Sequence, residues 1–494
     1  MKSIKILLAN TPWRKGNLYG IRAGSRWPFM TGLEPGQKIP GYLPFPFFLA
    51  YTAALLEKNG MEVMLIDALG EGMNDGEFLK KAAAFSADLT VLETSTPSIN
   101  TDIAWLNRLK KNIPGSLYAF TGPHAGVFAA ELMEKNQALD FVLHGEYEYI
   151  TLGLARALQS DGPLLAVKGI SRRENGKAVK NPPMPLHMDL DEMPWPARHF
   201  LPMKNYNDTF AGLPSPNVQV WASRGCPFGC IFCNWPISMY GGHSYRVRDY
   251  NDVISEIEWL IREYGFKAFY FDDDTFNIGK ERIINLSREI KRRGINIPWA
   301  VMARADTTDL EVLSAMRESG LYAIKFGVES GDRKILENSG KKLDLDRVVE
   351  STAQAKQLGI KVHLTFTFGL PGETKESIEN TIAFVKKVNP DSVQFSIVTP
   401  FPGTEYFEQL KAKNMITTYD WDKYDGANNA VIRTEALSEK DLERWHNRAI
   451  REWNLHMLTT RLMKNPLRSF INGLRKPGYT LVFIKNLLKG ILGK

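Results

Sequence analysis

The segment SRGCPFGCIFCN, residues 223–234, contains every cysteine of this 494-residue chain: Cys226, Cys230 and Cys233. Three thiolates crowded into one loop are typical ligands of an iron–sulfur centre, and a chain with no other cysteine has no disulfide framework. A structural zinc site takes four protein ligands, and an ordinary cubane cluster takes four thiolates. We therefore predict a cluster in which one metal keeps an open position.

The C-x3-C-x2-C spacing, with Arg224-Gly225 before it and Phe232 before the last cysteine, resembles the radical S-adenosylmethionine enzymes. The resemblance implies that the thiolates hold three irons of a 4Fe-4S cluster, and that the fourth iron chelates the amino and carboxylate groups of S-adenosylmethionine. Other readings are a buried structural trio, a redox pair with a spare thiol, or a zinc site completed by His243.

Composition agrees with a large enzyme of more than one domain, since the chain is 44% hydrophobic and 24% charged. Residues 1–5 lead directly into the short apolar run 6–9, which lacks the small-residue cleavage site of a signal peptide. We therefore expect a cytoplasmic protein, because a reduced, oxygen-labile cluster survives in that compartment.

Residues 1–154 alternate short apolar runs with amphipathic stretches, which predicts an α/β domain with a doubly wound, Rossmann-like parallel sheet. The candidate strands are residues 4–9, 61–66, 89–92, 118–120 and 141–143. Ligands of such folds bind beyond the carboxyl ends of the strands, where Thr94, Ser95, Gly122 and His124 lie.

The order of this domain and the cysteine motif resembles the cobalamin-binding subgroup of the radical S-adenosylmethionine enzymes, through residues 122–125 and 143–148. The resemblance implies a set of cobalamin-contacting residues: Thr94, Ser95, Gly122, His124, Gly145 and Glu146. The D-x-H-x-x-G signature of other cobalamin enzymes is absent from the sequence, so we expect no histidine on cobalt. For His124 we favour a loop histidine that donates to backbone or corrin amide over a cobalt ligand.

Residues 155–215 lose this periodicity and accumulate prolines, which predicts an ordered connector. Residues 216–407 return to alternating strands and helices, with candidate strands at 218–222, 268–271, 299–302, 323–327, 361–366 and 392–397. Six strands alternating with helices predict a parallel repeat, and that number matches the partial (β/α)6 barrel of the resembled family.

Polar residues follow the barrel strands, where active-site groups emerge in such folds. Asp273 and Asp274 follow the second strand, where the family places contacts to the methionine amino group, although helix capping by Asp274 or Asn277 is an alternative. Arg304 follows the third strand, and its guanidinium is suited to the carboxylate of S-adenosylmethionine.

Glu329 and Ser330 follow the fourth strand, and the resemblance assigns Glu329 to the ribose or amino group of S-adenosylmethionine; a salt bridge between Arg304 and Glu329 is the structural alternative. Gly369 lies in a run similar to the adenine-side glycine motif of the family, and Thr399 in a run similar to its closing loop. We predict that these residues bind the cofactor.

Residues 408–494 are predicted to form a mostly helical region with a long helix over 438–463, which either caps the barrel or shapes the substrate pocket. Residues 451–494 carry a net charge of +8, and the apolar stretch 480–492 is too short to span a bilayer. A basic amphipathic terminus could lie on an anionic membrane surface, which suggests a lipid-like substrate; a solvated basic tail is the alternative. No nucleic-acid recognition motif is present in the sequence.

The functional hypothesis is a cobalamin-dependent radical enzyme that methylates an unactivated carbon of a small, hydrophobic or lipid-like molecule, with an external electron donor such as flavodoxin or ferredoxin. A radical cyclase or ring-rearrangement enzyme with the same cofactors is the second hypothesis. A cobalamin or redox sensor with a regulatory cluster is the non-enzyme alternative; the polar loops at the strand ends argue against it.

Overall fold

The computed structural model describes residues 4–22, 28–33, 36–37, 39–425 and 429–464. Within these residues two parallel sheets, each covered by helices, are joined by a connector and followed by a long helix. The α/β class predicted from the sequence is confirmed. The predicted amphipathic stretch 480–492 lies outside the described residues.

The first region forms a seven-stranded sheet and a small antiparallel sheet. Its strands are β1 (Lys5–Asn10), β2 (Arg14–Lys15), β3 (Leu18–Ile21), β4 (Phe29–Gly32), β5 (Glu62–Asp67), β6 (Leu89–Glu93), β7 (Leu117–Thr121), β8 (Phe141–Leu143), β9 (Ile170–Glu174) and β10 (Lys177–Lys180). The large sheet has the order β10-β9-β8-β7-β6-β1-β5, and its five strands from β8 to β5 are parallel. All five strands predicted from the apolar runs are present.

Strands β9 and β10 lie in the segment that the sequence assigned to the connector. They continue the first sheet in antiparallel fashion, so the first domain extends beyond residue 154. Both strands are short and rich in Arg and Lys, so the alternation of apolar and polar residues that is typical of a strand is not visible in their sequence. Asn175-Gly176, both with positive φ, makes the tight turn between them. An Asn-Gly pair is a strong hairpin signal, and it could have revealed the hairpin in advance.

In the described part of this region, helices cover the first sheet: α1 (Phe47–Lys58), α2 (Asp75–Phe85), α3 (Ile99–Asn112), α4 (Pro123–Val127), α5 (Ala129–Lys135) and α6 (Glu148–Gln159). Helix α1 is buried on all sides from Phe47 to Leu56 because it lies between the two halves of the molecule. The Phe47 ring stacks on Trp221, which precedes the cysteine segment, with ring centres 4.2 Å apart. Apolar packing thus joins the first domain to the second.

The second region is the predicted six-stranded parallel sheet with an added hairpin. Its strands are β11 (Asn217–Val220), β12 (Ser223–Gly225), β13 (Tyr245–Val247), β14 (Ala268–Phe271), β15 (Trp299–Ala303), β16 (Leu321–Glu329), β17 (Lys361–Phe368) and β18 (Ser392–Ile397). The order β11-β14-β15-β16-β17-β18 follows the chain, as a right-handed βα repeat requires. Strands β12 and β13 pair separately and frame the cysteine segment.

The described helices of this region and of the C-terminal part follow in chain order: α7 (Asn234–Ser238), α8 (Tyr250–Tyr264), α9 (Lys280–Arg292), α10 (Leu310–Glu318), α11 (Arg333–Asn338), α12 (Leu345–Gln357), α13 (Lys375–Val388), α14 (Glu405–Ala412) and α15 (Glu439–Lys464). Helix α15 confirms the long helix predicted at 438–463 and packs on β18 and α13. Its buried face carries Leu442, Ala449 and Trp453, whereas Ile450 is 37% exposed. None of the described helices is long and apolar enough to cross a membrane.

A buried ion-pair cluster fixes the connector to the second region. Glu256 of α8 is fully buried and accepts hydrogen bonds from Arg198 of the connector, 2.8 Å from Nη2, and from Arg248, 2.7 Å from Nη1. Burial acts to raise the pKa of Glu256, but Arg248 and Arg198 outweigh it and hold that pKa below its usual value. The carboxylate therefore compensates two guanidinium groups that have little access to water.

We expect Glu256→Ala to lower the free energy of unfolding by about 3–5 kcal/mol, because two buried cations lose their counter-ion. Glu258→Ala is the matched control on the same helix: its half-exposed ion pair with Arg293 should be worth less than about 1 kcal/mol. Chemical denaturation measures both. The fold depresses the pKa of Glu256. The contribution of Glu256 to the free energy of unfolding should therefore be fully present above the pKa of an unfolded glutamate, and it should disappear as the pH falls through the depressed value. Equal losses in both variants would contradict this account.

Candidate functional site

The three cysteines lie in the loop between β12 and α7, at the carboxyl end of β11. Their thiols are free and half-buried. Burial raises the pKa of Cys230 and Cys233, while the positive charges of Lys341 and Arg304 act in the opposite direction on Cys230. Since metals bind the thiolate form, these two cations favour the ligating state of the loop.

Asp273 and Asp274 hold the chain on which the cysteines are mounted. The carboxylate of Asp273 is fully buried and accepts from the Ala222 amide at 2.9 Å and from the Ser223 hydroxyl. Asp274 accepts from the Gly225 amide at 2.9 Å. Burial raises the pKa of Asp273 to about 7 despite these donors. In this structure both predicted cofactor-binding aspartates contact the cysteine segment. Helix α9 begins after Gly279 without a side-chain cap, so neither Asp274 nor Asn277 caps it.

Two side chains reach the cysteine loop from the neighbouring strand ends. The Thr275 hydroxyl donates to Cys226 Sγ at 3.2 Å. The Arg304 guanidinium lies 3.6 Å from the centre of the Phe228 ring and makes a two-point ion pair with Asp306 at 2.9 and 2.7 Å. Arg304 is thus placed beside the loop and is already paired with an adjacent carboxylate.

The turn 339–341 is the part of the site that the sequence analysis missed. Gly340 has a φ of +70°, and a Cβ at this position would lie 2.4 Å from the Gly229 carbonyl oxygen. The Ile231 amide donates to the Ser339 carbonyl at 3.0 Å. The turn thereby supports the cysteine loop and brings Lys341 next to it. A glycine followed by lysine after a short helix was the available signal, but it is a weak one.

Glu329 pairs with Lys341 rather than with Arg304. The Lys341 ammonium lies 3.1 Å from Glu329 Oε1, and the Thr367 hydroxyl donates to Oε2 at 3.0 Å. The salt bridge to Arg304 considered as an alternative does not form. Ser330 is fully buried, and its hydroxyl contacts that of Thr381. Glu329 and Lys341 form the charged pair at this strand end.

Gly369 and Thr399 follow β17 and β18 at the same edge. The Gly369 amide donates to the buried carboxylate of Glu373, and its carbonyl accepts from the Tyr406 hydroxyl at 2.6 Å. Its φ of +91° requires glycine. The Thr399 hydroxyl is buried and has no hydrogen-bond partner within the described chain, so it is available to a ligand.

In the first domain, Thr94, Ser95 and Gly122 lie together at the carboxyl edge of the sheet. The Thr94 hydroxyl donates to the Thr121 carbonyl at 2.7 Å, and Ser95 contacts Ser98 at 2.8 Å. A Cβ on Gly122 would lie 2.2 Å from the Thr94 carbonyl oxygen, so glycine is needed for these two loops to meet. The Thr121 hydroxyl is buried without a described partner at the same edge.

His124 is enclosed by aromatic rings. Its ring centre lies 4.8 Å from that of Phe128 and 5.0 Å from that of Trp421, which comes from the C-terminal region. Burial lowers its pKa to about 3, so the imidazole is neutral, and Nδ1 has no partner among the described residues. His144, by contrast, contacts the Ser171 hydroxyl through Nε2 at 2.8 Å.

Gly145 and Glu146 lie where the first domain meets the cysteine segment. Glu146 accepts from Arg224 at 2.9 Å and from Arg246 at 2.7 and 2.8 Å. Arg224, two residues before Cys226, also pairs with buried Glu148 at 2.8 Å. In this structure Glu146 joins the two domains, and this role was not foreseen from the sequence.

A cleft lies between the carboxyl edge of the first sheet and the segment that follows the cysteines, the two places where the sequence predicts bound cofactors. One wall consists of residues 93–96 and 122–123 of the first domain, and the other contains Asn234, Trp235 and Met239, directly after Cys233. Asn234 Oδ1 and Trp235 Nε1 are buried without described partners. Among the described residues, no group of three or more His, Cys, Asp or Glu side chains is placed to hold a single metal ion.

Comparisons with known proteins agree with this geometry. The profile of the Radical SAM superfamily matches residues 222–385. An uncharacterized methyltransferase from Pyrococcus horikoshii is 36% identical over 390 residues, which cover 78% of this chain and 83% of that protein. An anaerobic magnesium-protoporphyrin IX monomethyl ester cyclase from Cereibacter sphaeroides is 27% identical over 418 residues, 82% of this chain and 66% of that protein.

The fold is similar to a solved structure of the radical S-adenosylmethionine methyltransferase TsrM from Kitasatospora setae, which has cobalamin and a [4Fe-4S] cluster bound. The TM-score is 0.65 at 18% sequence identity, and the match covers 83% of this chain and 75% of that one. The likeness therefore extends over both sheets as a likeness of fold.

We expect Gly340→Ala to reduce the iron bound after anaerobic reconstitution, because the new methyl group would collide with the Gly229 carbonyl between two of the cysteines. Gly359→Ala is the matched control: its φ of +73° is nearly the same, but no atom lies within 4 Å of the added Cβ. Both variants should carry the strain of a left-handed alanine, roughly 1–2 kcal/mol. Iron content and the visible absorbance of the cluster measure the difference. Full iron content in Gly340→Ala would refute the proposed support.

Proposed function

This chain belongs to the radical S-adenosylmethionine superfamily, in the group with a cobalamin-binding domain before the barrel, and we propose that it methylates an unactivated carbon of a small molecule. The observation that carries this proposal is the cleft in which the strand-end loops of the first domain face the helix that follows Cys233. A ligand at the first edge and one at the cysteine loop would meet there.

The donor set of the cysteine loop fits a 4Fe-4S cluster. Three thiols on one loop leave one iron open, and Lys341 and Arg304 supply positive charge beside Cys230. The Thr275 hydroxyl donates to the sulfur of Cys226, and hydrogen bonds to cluster sulfurs tune the reduction potential. When bound, the cluster and S-adenosylmethionine supply the radical chemistry that opens a C–H bond, and cobalamin supplies the methyl group.

Glu329 and Lys341 are suited to the zwitterionic end of S-adenosylmethionine. The carboxylate would accept from the amino group and the ammonium would donate to the carboxylate, so the pair would exchange one ionic partner for another. Thr399 would add a hydroxyl, and Gly369 would allow close backbone approach. We also propose roles for Arg304, which would hold the loop through Phe228, and for Asp273 and Asp274, which would position the cysteines.

The first domain offers a fitting edge for cobalamin. The Thr121 hydroxyl and His124 Nδ1 are buried polar atoms without described partners, and such atoms usually have a ligand or water. We propose that Thr94, Ser95 and Gly122 line this site. We propose that His124 contacts the corrin side chains rather than cobalt, since Phe128 and Trp421 hold its ring from two sides.

A radical cyclase or ring-rearrangement activity is the second candidate. The similarity to a magnesium-protoporphyrin ester cyclase favours it. Both activities would use the same cluster site and would differ in the fate of the substrate radical after hydrogen abstraction.

The hydrophobic or lipid-like substrate and the membrane contact rest on the basic terminus, most of which lies outside the described residues. They stay predictions, as do the flavodoxin-type or ferredoxin-type electron donor and the cytoplasmic location.

We expect the enzyme reconstituted anaerobically with iron, sulfide and cobalamin to release 5′-deoxyadenosine from S-adenosylmethionine and dithionite. Cys233→Ala should release none, since one iron loses its thiolate. With substrate present, S-adenosylhomocysteine alongside 5′-deoxyadenosine supports methylation, and 5′-deoxyadenosine alone supports the cyclase. Chromatography of the products measures each. Absence of 5′-deoxyadenosine from the wild type would rule out both activities.

We expect Lys341→Met to weaken S-adenosylmethionine binding about tenfold, or roughly 1.4 kcal/mol, because the carboxylate of the ligand loses a charged donor. Lys342→Met is the control at the adjacent, exposed lysine and should leave the affinity unchanged. Isothermal titration calorimetry gives the dissociation constant, and iron analysis should show an intact cluster in both variants. Unchanged affinity in Lys341→Met would remove this residue from the site.

A further inference from the structure

The inner face of the barrel is polar along its fourth to sixth strands. Strands β16 and β17 alternate between side chains buried under the helices and side chains that keep some exposure on the inner face. The parallel register places Met302, Lys325, His363 and Ser392 side by side in one row across four strands. Neighbouring members of such a row are about 4.8 Å apart.

Lys325 brings an ammonium into this row without a carboxylate paired to it in the described part of the chain. Its Nζ lies 5.0 Å from the centre of the Phe210 ring, which closes the floor of the barrel. Asp208 is buried, and its carboxylate accepts from the Phe210 amide at 2.7 Å; burial raises its pKa, and the charge of Lys325 acts in the opposite direction. Lys361, the other cation on this floor, already donates to the Ala211 carbonyl at 3.0 Å and to Tyr322.

His363 stands beside Lys325 in the register and has one free nitrogen. Its Nδ1 contacts the Ser392 hydroxyl at 2.8 Å, whereas Nε2 is buried without a partner among the described residues. Burial, with a smaller effect of Lys325, lowers the pKa of His363 to about 3, so the ring is neutral. When the Ser392 hydroxyl donates to Nδ1, Nε2 carries a hydrogen that can be donated to a ligand.

We infer that Lys325 and His363 form a subsite for an anionic group of the substrate, a phosphate, phosphonate or carboxylate. The inference rests on the proposed function and adds the chemical class of the substrate to it. A partly exposed ammonium next to an unpaired ring nitrogen suits an anion, since both gain a hydrogen bond that the protein does not supply. A purely hydrocarbon substrate would leave both groups unpaired, which costs free energy.

The subsite lies too deep in the barrel to serve S-adenosylmethionine. Lys325 precedes Glu329 by four residues on β16, a distance of about 13 Å along the strand. Thr365 lies on the inner face between these levels, in register with Gly327 and Gln394. An elongated substrate would thus place its anionic end on Lys325 and its reacting carbon near the cysteine loop.

The test is anion binding to the cofactor-reconstituted enzyme, and it needs no turnover. Inorganic phosphate and acetate are titrated separately into protein labelled with 13C at histidine Cε1. The His363 signal, one of eight, is assigned through His363→Gln. We expect phosphate, acetate or both to shift this signal saturably, and the tighter of the two identifies phosphoryl or carboxylate chemistry.

Lys325→Met should weaken the binding about tenfold, and Lys325→Arg should restore it to within about threefold, because the charge is what the anion recognises. Lys361→Met is the matched control, a lysine on the same floor that is already bonded, and it should leave the affinity unchanged. Circular dichroism shows whether each variant is folded. No saturable shift in the wild type, or equal affinity in wild type and a folded Lys325→Met, would overturn the subsite. Either result would leave 5′-deoxyadenosine release intact, whereas loss of that release with anion binding retained would count against the proposed function alone.

Discussion

The placement of the cysteine loop depends on one buried guanidinium. Arg224 is 3% exposed, two residues before the first cysteine, and its charge is compensated by Glu146 and Glu148 of the first domain. A buried cation that loses its partners costs several kilocalories per mole, so the loop cannot move away from the first domain without a large penalty. The rings of Phe48 and Tyr51 on helix α1 cover the same guanidinium and exclude water from the pair.

The loop is further held by segments that are far apart in the sequence. Asp273 and Asp274 bind its incoming strand, Gly340 lies against its middle, and the Tyr406 amide donates to Ile231 at its far end at 3.1 Å. Each of these contacts is made to a backbone atom of the loop or of its incoming strand, and none is made to a cysteine sulfur. The backbone that carries the three cysteines is therefore held in place by the surrounding chain, as a binding site on a rigid scaffold requires.

Sequence patterns gave the two parallel sheets and the cysteine site because these features depend on local periodicity and spacing. The β9–β10 hairpin was missed because its arginines and lysines mask the alternation, although Asn175-Gly176 signals the turn. The role of Lys341 and the pairing of Glu146 with Arg224 could not be predicted, since partners 12 and 78 residues apart leave no periodic trace. Arg304 was located correctly at its strand end, but its pairing with Asp306 required the structure.

Trp421 lies on His124, and the neighbouring Asp422 accepts from the Asn100 amide at 3.0 Å, so the last part of the chain returns to the first domain. At roughly 5–20 residues per second, a ribosome needs about 15–60 seconds to synthesise the intervening stretch of about 300 residues. Throughout that interval the carboxyl edge of the first sheet lacks the contact that Trp421 makes with it. Trp421 and Asp422 therefore close this edge of the first domain only after nearly all of the preceding chain has been synthesised.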